Sequence, residues 1–409
     1  MFLPDSQLST PDETLQRLAG HPNPLASHYR RFRVGERLLL TGHSHQAWPD
    51  CGFEAQSEAW LDAAEWVDDK WERAFAKATE VRRGFARLLG EPGASIALGA
   101  NTHELVVRFL SALPLEKRPR LVTTDGEFHS IRRQLDRLSE VGLTVTKVTA
   151  EPVATLAERL ADALDDRTAA VLVSAVLFQS SRIVPGLGDL ATACRKRGIE
   201  LLVDVYHQLN VVPCSIRGDG LSDAFIVGGG YKYCQLGEGN CFLRLPQDCR
   251  LRPVITGWFA EFAALERAAG DRGVSWGEGA SCFAGATYDP VSHYRAAAVL
   301  DFFETKGLTP LLLRGISQHQ IRFLAERFDA LDLDPVLVNR DRSVPLDQVG
   351  GFLVLRSPSA GDLCQRLRAA GVWADSRGES LRLGPAPYLS DWQLERAMDI
   401  FGEVVCGTS

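Results

Sequence analysis

Glu200-Leu-Leu-Val-Asp204 and, further along the chain, Asp223-Ala-Phe-Ile-Val-Gly-Gly-Gly-Tyr231-Lys232 decide how this protein folds. Each is a short apolar run bounded by polar or glycine residues, the pattern of a strand buried on both faces of a parallel sheet. The first run ends on a carboxylate. The second passes through three glycines before it reaches an aromatic residue and a lysine. In open parallel sheets ligands gather beyond the carboxyl ends of the strands, where the loops converge. Asp204 and Lys232, twenty-eight residues apart, are therefore placed to face one site.

Outward from this pair, further apolar runs at 95–98, 120–124, 143–148 and 169–176 alternate with amphipathic segments at 102–113, 130–139 and 188–197. That alternation predicts an α/β protein with a large, doubly wound and mostly parallel sheet. A second pattern follows. Helices at 293–306 and 316–330 lead to a strand at 352–356, a helix at 361–370, a strand at 379–383 and a helix at 391–405. Residues 46–300 are expected to form the large domain. Residues 1–45 and 301–409 are expected to form a small α+β domain.

Composition narrows the function. With 409 residues, 45% of them hydrophobic, the chain can bury a substantial core. A formal charge of −7 argues against nucleic acid or an anionic membrane as a partner, since both call for a basic surface. The first residues, Met1-Phe-Leu-Pro-Asp-Ser-Gln, lack a basic region leading into an apolar one, and no run of about 18 apolar residues occurs. A cytoplasmic location is expected. Nine cysteines at irregular spacings, with no Cys-x-x-Cys, fit reduced thiols rather than a disulfide framework or a zinc site.

The other strand ends supply what a planar, phosphorylated cofactor requires. Gly99-Ala-Asn-Thr102 opens a helix, so Thr102 can cap it while free backbone amides face a phosphate. Asp125-Gly-Glu-Phe128-His129-Ser130 follows the next strand and places an aromatic ring where it can stack. A lysine amine can condense with an aldehyde, and a carboxylate can keep a pyridine nitrogen protonated. Together these features predict pyridoxal 5'-phosphate as cofactor. His207 is open to two readings, a cofactor contact or a hydrogen-bonded core histidine.

In Asp204-Val-Tyr-His207, Gly230-Tyr231-Lys232 and Thr256-Gly-Trp258-Phe259 the chain resembles the class V branch of fold type I pyridoxal phosphate enzymes, kynureninases most closely. The resemblance spans roughly residues 40–400. It implies that Lys232 is the lysine that binds the cofactor aldehyde, Asp204 the partner of the ring nitrogen and Phe128 the stacking ring. Asn101, Thr102, Ser130 and Tyr231 would hold the phosphate, with proton transfer as a second task open to Tyr231. Trp258 and Thr287 would reach the cofactor of a second subunit, making a homodimer with a shared active site. Arg382 resembles the arginine that clamps the α-carboxylate of an amino-acid substrate, a task suited to its planar fork.

Departures from the kynureninase pattern bear on the substrate. Thr41-Gly-His43-Ser44-His45-Gln-Ala-Trp48-Pro49 stands where kynureninases carry Gly-Asn-Ser-Leu-Gly, so His43 and His45 become candidate substrate contacts. Two histidines alone make no metal site, and none is expected. Ser180-Ser181-Arg182 replaces a Thr-Gly pair and adds Arg182 as a candidate substrate contact. Ile131 stands where kynureninases have Asp. The expected reaction is Cβ–Cγ hydrolysis, with transamination as the alternative and a catalytically idle cofactor-binding protein as a third reading. Cysteine desulfuration is disfavoured, because the segment Val372-Trp-Ala-Asp-Ser-Arg-Gly-Glu379 before Arg382 contains no cysteine.

Overall fold

The computed structural model describes residues 11–264 and 273–407. A two-residue strand, β1 (Leu38–Leu39), precedes β2 (Ser95–Gly99), β3 (Arg120–Thr124), β4 (Thr144–Val148), β5 (Thr168–Ser174), β6 (Glu200–Asp204), β7 (Phe225–Gly229) and β8 (Cys241–Leu245). Strands β2 to β8 form one seven-stranded sheet in the order β2-β8-β7-β6-β5-β3-β4. Neighbours from β4 through β7 are parallel, whereas β8 runs antiparallel to both β7 and β2. The α/β class and the mostly parallel sheet are thus as expected.

Alternation along the strands builds two cores. Leu121, Leu172, Leu202 and Phe225 pack with Leu105, Phe109 and Leu135 on one face. Their strand neighbours Val122, Val171, Val173, Leu201, Val203 and Ile226 point to the other face and join the larger cluster.

Strand β8 was not foreseen, because a charge interrupts its apolar run. Arg244 lies inside that buried strand and is itself buried. Glu91 takes two of its hydrogen bonds, at 2.7 and 2.6 Å, and the carbonyls of Ser222 and Ala224 take the others at 2.9 Å. A buried cation is tolerated when its donors are used in this way.

Beyond the large sheet, β9 (Leu353–Arg356), β10 (Val372–Trp373), β11 (Asp375–Arg377) and β12 (Ser380–Leu383) complete the strands. An antiparallel sheet runs β11-β12-β9, and β1 pairs in parallel with β10. Thr41 bridges Gly384 just beyond these pairs. The N-terminal segment that carries His43 is therefore joined to the strand that carries Arg382. A Cβ on Gly384 would stand 2.2 Å from His43 Nδ1, so that close approach requires glycine.

Candidate active site

The glycines before Tyr231 let the backbone pass through a crowded space. A Cβ on Gly229 would lie 2.5 Å from Tyr206 Oη and Cys241 Sγ, and one on Gly230 would lie 2.5 Å from Leu236. The chain then delivers Lys232 to a buried position, 6% exposed, at the carboxyl end of the sheet. Its Nζ sits 5.0, 5.4 and 5.8 Å from the ring centres of Tyr231, Tyr206 and Phe128. Burial, aided by the charge of Arg382, pushes the amine down to about 7, against the pull of Asp204 and Asp375.

Asp204, 8% exposed, closes β6 beside it. Its Oδ1 accepts from the Tyr206 amide at 2.8 Å, and its Oδ2 has no partner among the described residues. Burial pushes this carboxyl up to about 6, opposed by the Tyr206 amide and Lys232. A second carboxylate nearby was missed by sequence reasoning. Glu127 is buried, accepts from Thr124 Oγ1 at 2.7 Å and from Ser174 Oγ at 2.6 Å, and is pushed up to about 7 by burial. Its only sequence signal was an acid between a strand end and a helix start.

Aromatic rings wall the space. Phe128 is half-buried and lies edge-on to Phe178 at 5.3 Å, and both rings are 6.5 Å from His207. Burial drives the His207 imidazole well below its ordinary value, so it is neutral at pH 7. His207 makes no side-chain hydrogen bond among the described residues, which removes the hydrogen-bonded core reading.

Of the phosphate candidates, Asn101 rather than Thr102 caps the helix Thr102–Ser111. Asn101 Oδ1 accepts from the Glu104 amide at 2.9 Å, while its Nδ2 donates to Glu104 Oε1 at 3.0 Å. An asparagine side chain reaches back to an amide two or three residues on more readily than the first helical threonine can. Asn101 is thereby committed, leaving Thr102 and Ser130 with side chains free of protein hydrogen bonds among the described residues. Ser130 lies in the first turn of helix His129–Glu140, which has no side-chain cap.

Arg382 is 3% exposed and already engaged. Its Nε and Nη2 donate to the two oxygens of Asp375 at 2.7 and 2.6 Å, and its Nη1 donates to the Phe178 carbonyl at 2.5 Å. His43 Nε2 donates to the same carboxylate at 2.9 Å. Burial pushes His43 down to about 4. Burial alone would raise Asp375, but the hydrogen bonds from His43 and Arg382 outweigh it and keep the carboxylate ionised well below the usual range. Only part of the Arg382 fork is therefore open. One edge is held by Asp375, and one N–H on each of Nη1 and Nη2 remains. Likewise His43 is fully buried against Asp375 and Phe352, so it supports the arginine rather than touching a substrate directly.

Asp375→Asn should therefore loosen Arg382 and raise the KM for an amino-acid substrate about ten-fold with little change in kcat, as expected for a lost charge-assisted hydrogen bond. Steady-state kinetics would check this, and an equal fall in kcat would contradict it.

The remaining candidates fall in different places. His45 stacks on Tyr231 at 4.7 Å and lies 3.5 Å from Glu238, exposed at the rim. Burial pushes Tyr231 up to about 12, keeping its phenol protonated. Arg182 lines a small cavity whose wall includes neither Lys232 nor Asp204. Trp258, 43% exposed, and Thr287 are both exposed on this chain. Thr287 lines a cavity of about 1320 Å³ whose wall includes Gly99 and Ala100 but neither Lys232 nor Asp204. Among the described residues no three His, Cys, Asp or Glu side chains gather as a metal site.

No family model matches the chain. An uncharacterized aminotransferase of Bacillus subtilis (strain 168) is 21% identical over 377 residues, covering 89% of this chain and 95% of the relative. A kynureninase of Bacillus cereus is 24% identical over 287 residues, 68% of this chain and 61% of that enzyme. Among solved structures, a C-DES mutant with glycine covalently linked to the PLP cofactor superposes with a TM-score of 0.80 at 15% identity, covering 93% and 99% of the two chains. The fold is fold type I, as in that cofactor-bound neighbour. The residues of the site fit that cofactor: a buried amine near neutrality, a carboxylate oxygen awaiting a donor, a half-exposed ring and a helix start with free hydroxyls.

Proposed function

We propose that the chain is a pyridoxal 5'-phosphate-dependent enzyme that acts on an α-amino acid by kynureninase-like hydrolysis of a Cβ–Cγ bond. The observation that carries the cofactor assignment is the juxtaposition of Lys232, its amine held near neutrality, with the unpartnered oxygen of Asp204. Bound there, the cofactor supplies an aldehyde for amines and a protonated ring that accepts the electron pair of a bond broken at the α-carbon.

The protein's side chains divide the remaining tasks. Lys232 would hold the aldehyde and, when free as an amine held near 7, could take the Cα proton at neutral pH. Asp204 Oδ2 would keep the proton on the ring nitrogen. Phe128 would face the ring, Thr102 and Ser130 would donate to the phosphate, and His207 would offer a neutral imidazole. The open N–H pair of Arg382 takes the substrate α-carboxylate. Tyr231, protonated and with its ring 5.0 Å from the Lys232 amine, is a candidate proton donor. The aromatic wall of Phe128, Phe178 and Phe352 limits water.

Kynureninase relatives favour hydrolysis. The second reading, transamination, is favoured by the aminotransferase relative, which matches nearly end to end. Desulfuration finds no nucleophile, since no cysteine lies on β11 or its turn and the Cys364 thiol donates to the Ala374 carbonyl. A homodimer is part of the reading, supported by exposed Trp60, Leu61, Val254 and Trp258 and by the large cavity next to Thr287. So are a division into residues 46–300 against 1–45 with 301–409, and a cytoplasmic location; no helix among the described residues is long and apolar enough to cross a membrane.

Cofactor-loaded protein incubated with L-kynurenine or its 3-hydroxy form, with pyruvate present, should yield anthranilate or 3-hydroxyanthranilate plus alanine by mass spectrometry. Kynurenic or xanthurenic acid would establish transamination instead.

A further inference from the structure

Apart from the site around Lys232, one small cavity of about 90 Å³ gathers groups that the fold leaves unused. Arg182, half-buried, and Arg356, exposed, both line it, and among the described residues neither guanidinium makes a hydrogen bond or an ion pair within 4.0 Å. Arg182 Nε and Ser180 Oγ, from the same wall, are buried without a partner. Buried donors are nearly always satisfied in folded proteins, so two orphans on one cavity call for an acceptor from outside. Arg340 adds a third guanidinium, itself held by Asp329 at 2.9 Å.

The cavity is preformed. The loop that supplies Ser180 and Arg182 is closed by bonds between Leu177 and Arg182 and between Ser181 and Leu177, each 2.9 Å. Ser181, buried within it, takes the left-handed conformation at φ 61°, a strained choice for a residue with a Cβ. Across the cavity, bridges from Arg182 to Val349 and from Asn339 to Arg356 pin both sides. Two carboxylates also border the space. Asp341 spends its Oδ1 on Ser343, and its carboxyl is held below the usual range by Ser343 first and by the charges of Arg182 and Arg356 at longer range; Glu151 accepts from the Val153 amide.

The cavity also adjoins the candidate active site. Phe352 lines it, and the same ring lies 4.6 Å from His43 and 6.3 Å from His207. The loop bearing Ser180 and Arg182 also carries Phe178, whose carbonyl holds Arg382.

We propose that this cavity is a binding site for one oxyanion, a carboxylate or phosphate group, held by Arg182, Arg356 and Ser180. The anion is either the distal acid of the substrate, which rests on the amino-acid reading above, or a free anion, which does not.

The test is calorimetric titration of the cofactor-loaded full chain with inorganic phosphate and with succinate, in chloride-free buffer. Loading occupies the phosphate site near Lys232 beforehand, and cofactor absorbance reports it. Saturable binding is expected, weakened about ten-fold in Arg182→Gln and in Arg356→Gln, the usual cost of a charge-assisted hydrogen bond. Thermal melts matching the parent would exclude misfolding, and Arg182→Lys should recover part of the affinity. Competition against phosphate by glutamate that is at least about ten-fold stronger than by succinate, with none by norvaline, would assign the anion to the substrate's distal acid, because the amino-acid end then adds its own contacts. Equal competition by glutamate and succinate would assign a free anion.

No saturable heat, or binding that both glutamine variants leave unchanged, would overturn the proposal. If the chain cannot be loaded with cofactor, the same titration on unloaded protein still decides. Binding must then be lost in Arg182→Gln and kept in Lys232→Ala.

Discussion

Lys232→Met should abolish turnover, lowering kcat/KM by about 10⁴-fold or more, because it removes both the cofactor's amine partner and the Cα base. The same substitution should make the cofactor-free chain more stable at neutral pH. Lys232 falls from its ordinary 10.5 to about 7 in the folded chain, chiefly through burial. The unfolded chain keeps that proton up to 10.5 and the folded chain releases it near 7, so stability rises with pH between those values. The cost of burying the charge is therefore complete below pH 7 and gone above 10.5.

Methionine avoids that cost. Its advantage in Tm should be largest below pH 7 and should close towards pH 10.5. At its largest it is worth a few kcal/mol, since each ten-fold change in proton affinity corresponds to about 1.4 kcal/mol. Melts of the two unloaded proteins across this range would check it. A gap that stays constant with pH would show that packing, and not the amine, is responsible.

Asp204→Asn is expected to reduce kcat about 10³-fold while the protein still folds, the size of effect seen when one preorganised electrostatic partner is removed. The amide conserves volume, and its oxygen can still accept from the Tyr206 amide, so the local structure survives. It cannot carry the negative charge that keeps a ring nitrogen protonated. Cofactor should remain bound, visible by absorbance, with turnover lost. Equal turnover in parent and variant would remove Asp204 from the mechanism.

Stability supplies a second readout. The carboxyl is raised from 3.8 to about 6 in the folded chain, mainly by burial. The stability it contributes is complete below 3.8 and lost as pH rises through 6. The asparagine variant should be the more stable of the two unloaded proteins above pH 6.

Lys232 and Asp204 were legible in the sequence because short apolar runs mark buried strands, and the strand ends mark where ligands gather in a parallel sheet. Phe128 and the helix beginning near Ser130 were legible for the same reason. The cap at Asn101 was not, since Asn and Thr are adjacent and both are common in that position. Strand β8 was hidden by Arg244, whose charge is compensated by Glu91 from far along the chain.

Sequence by itself determined the layered α/β architecture and the meeting of Lys232, Asp204 and Phe128 beyond the strand ends. Each of these depends on local periodicity or on position relative to a strand end. The tertiary structure alone decided that Asp375 and His43 hold Arg382, that Glu127 lies buried near Asp204, and that Arg182 faces its own cavity with Arg356. Those relations join residues up to several hundred positions apart through hydrogen bonds and desolvation. Such pairings depend on distance in space, which residue order does not encode.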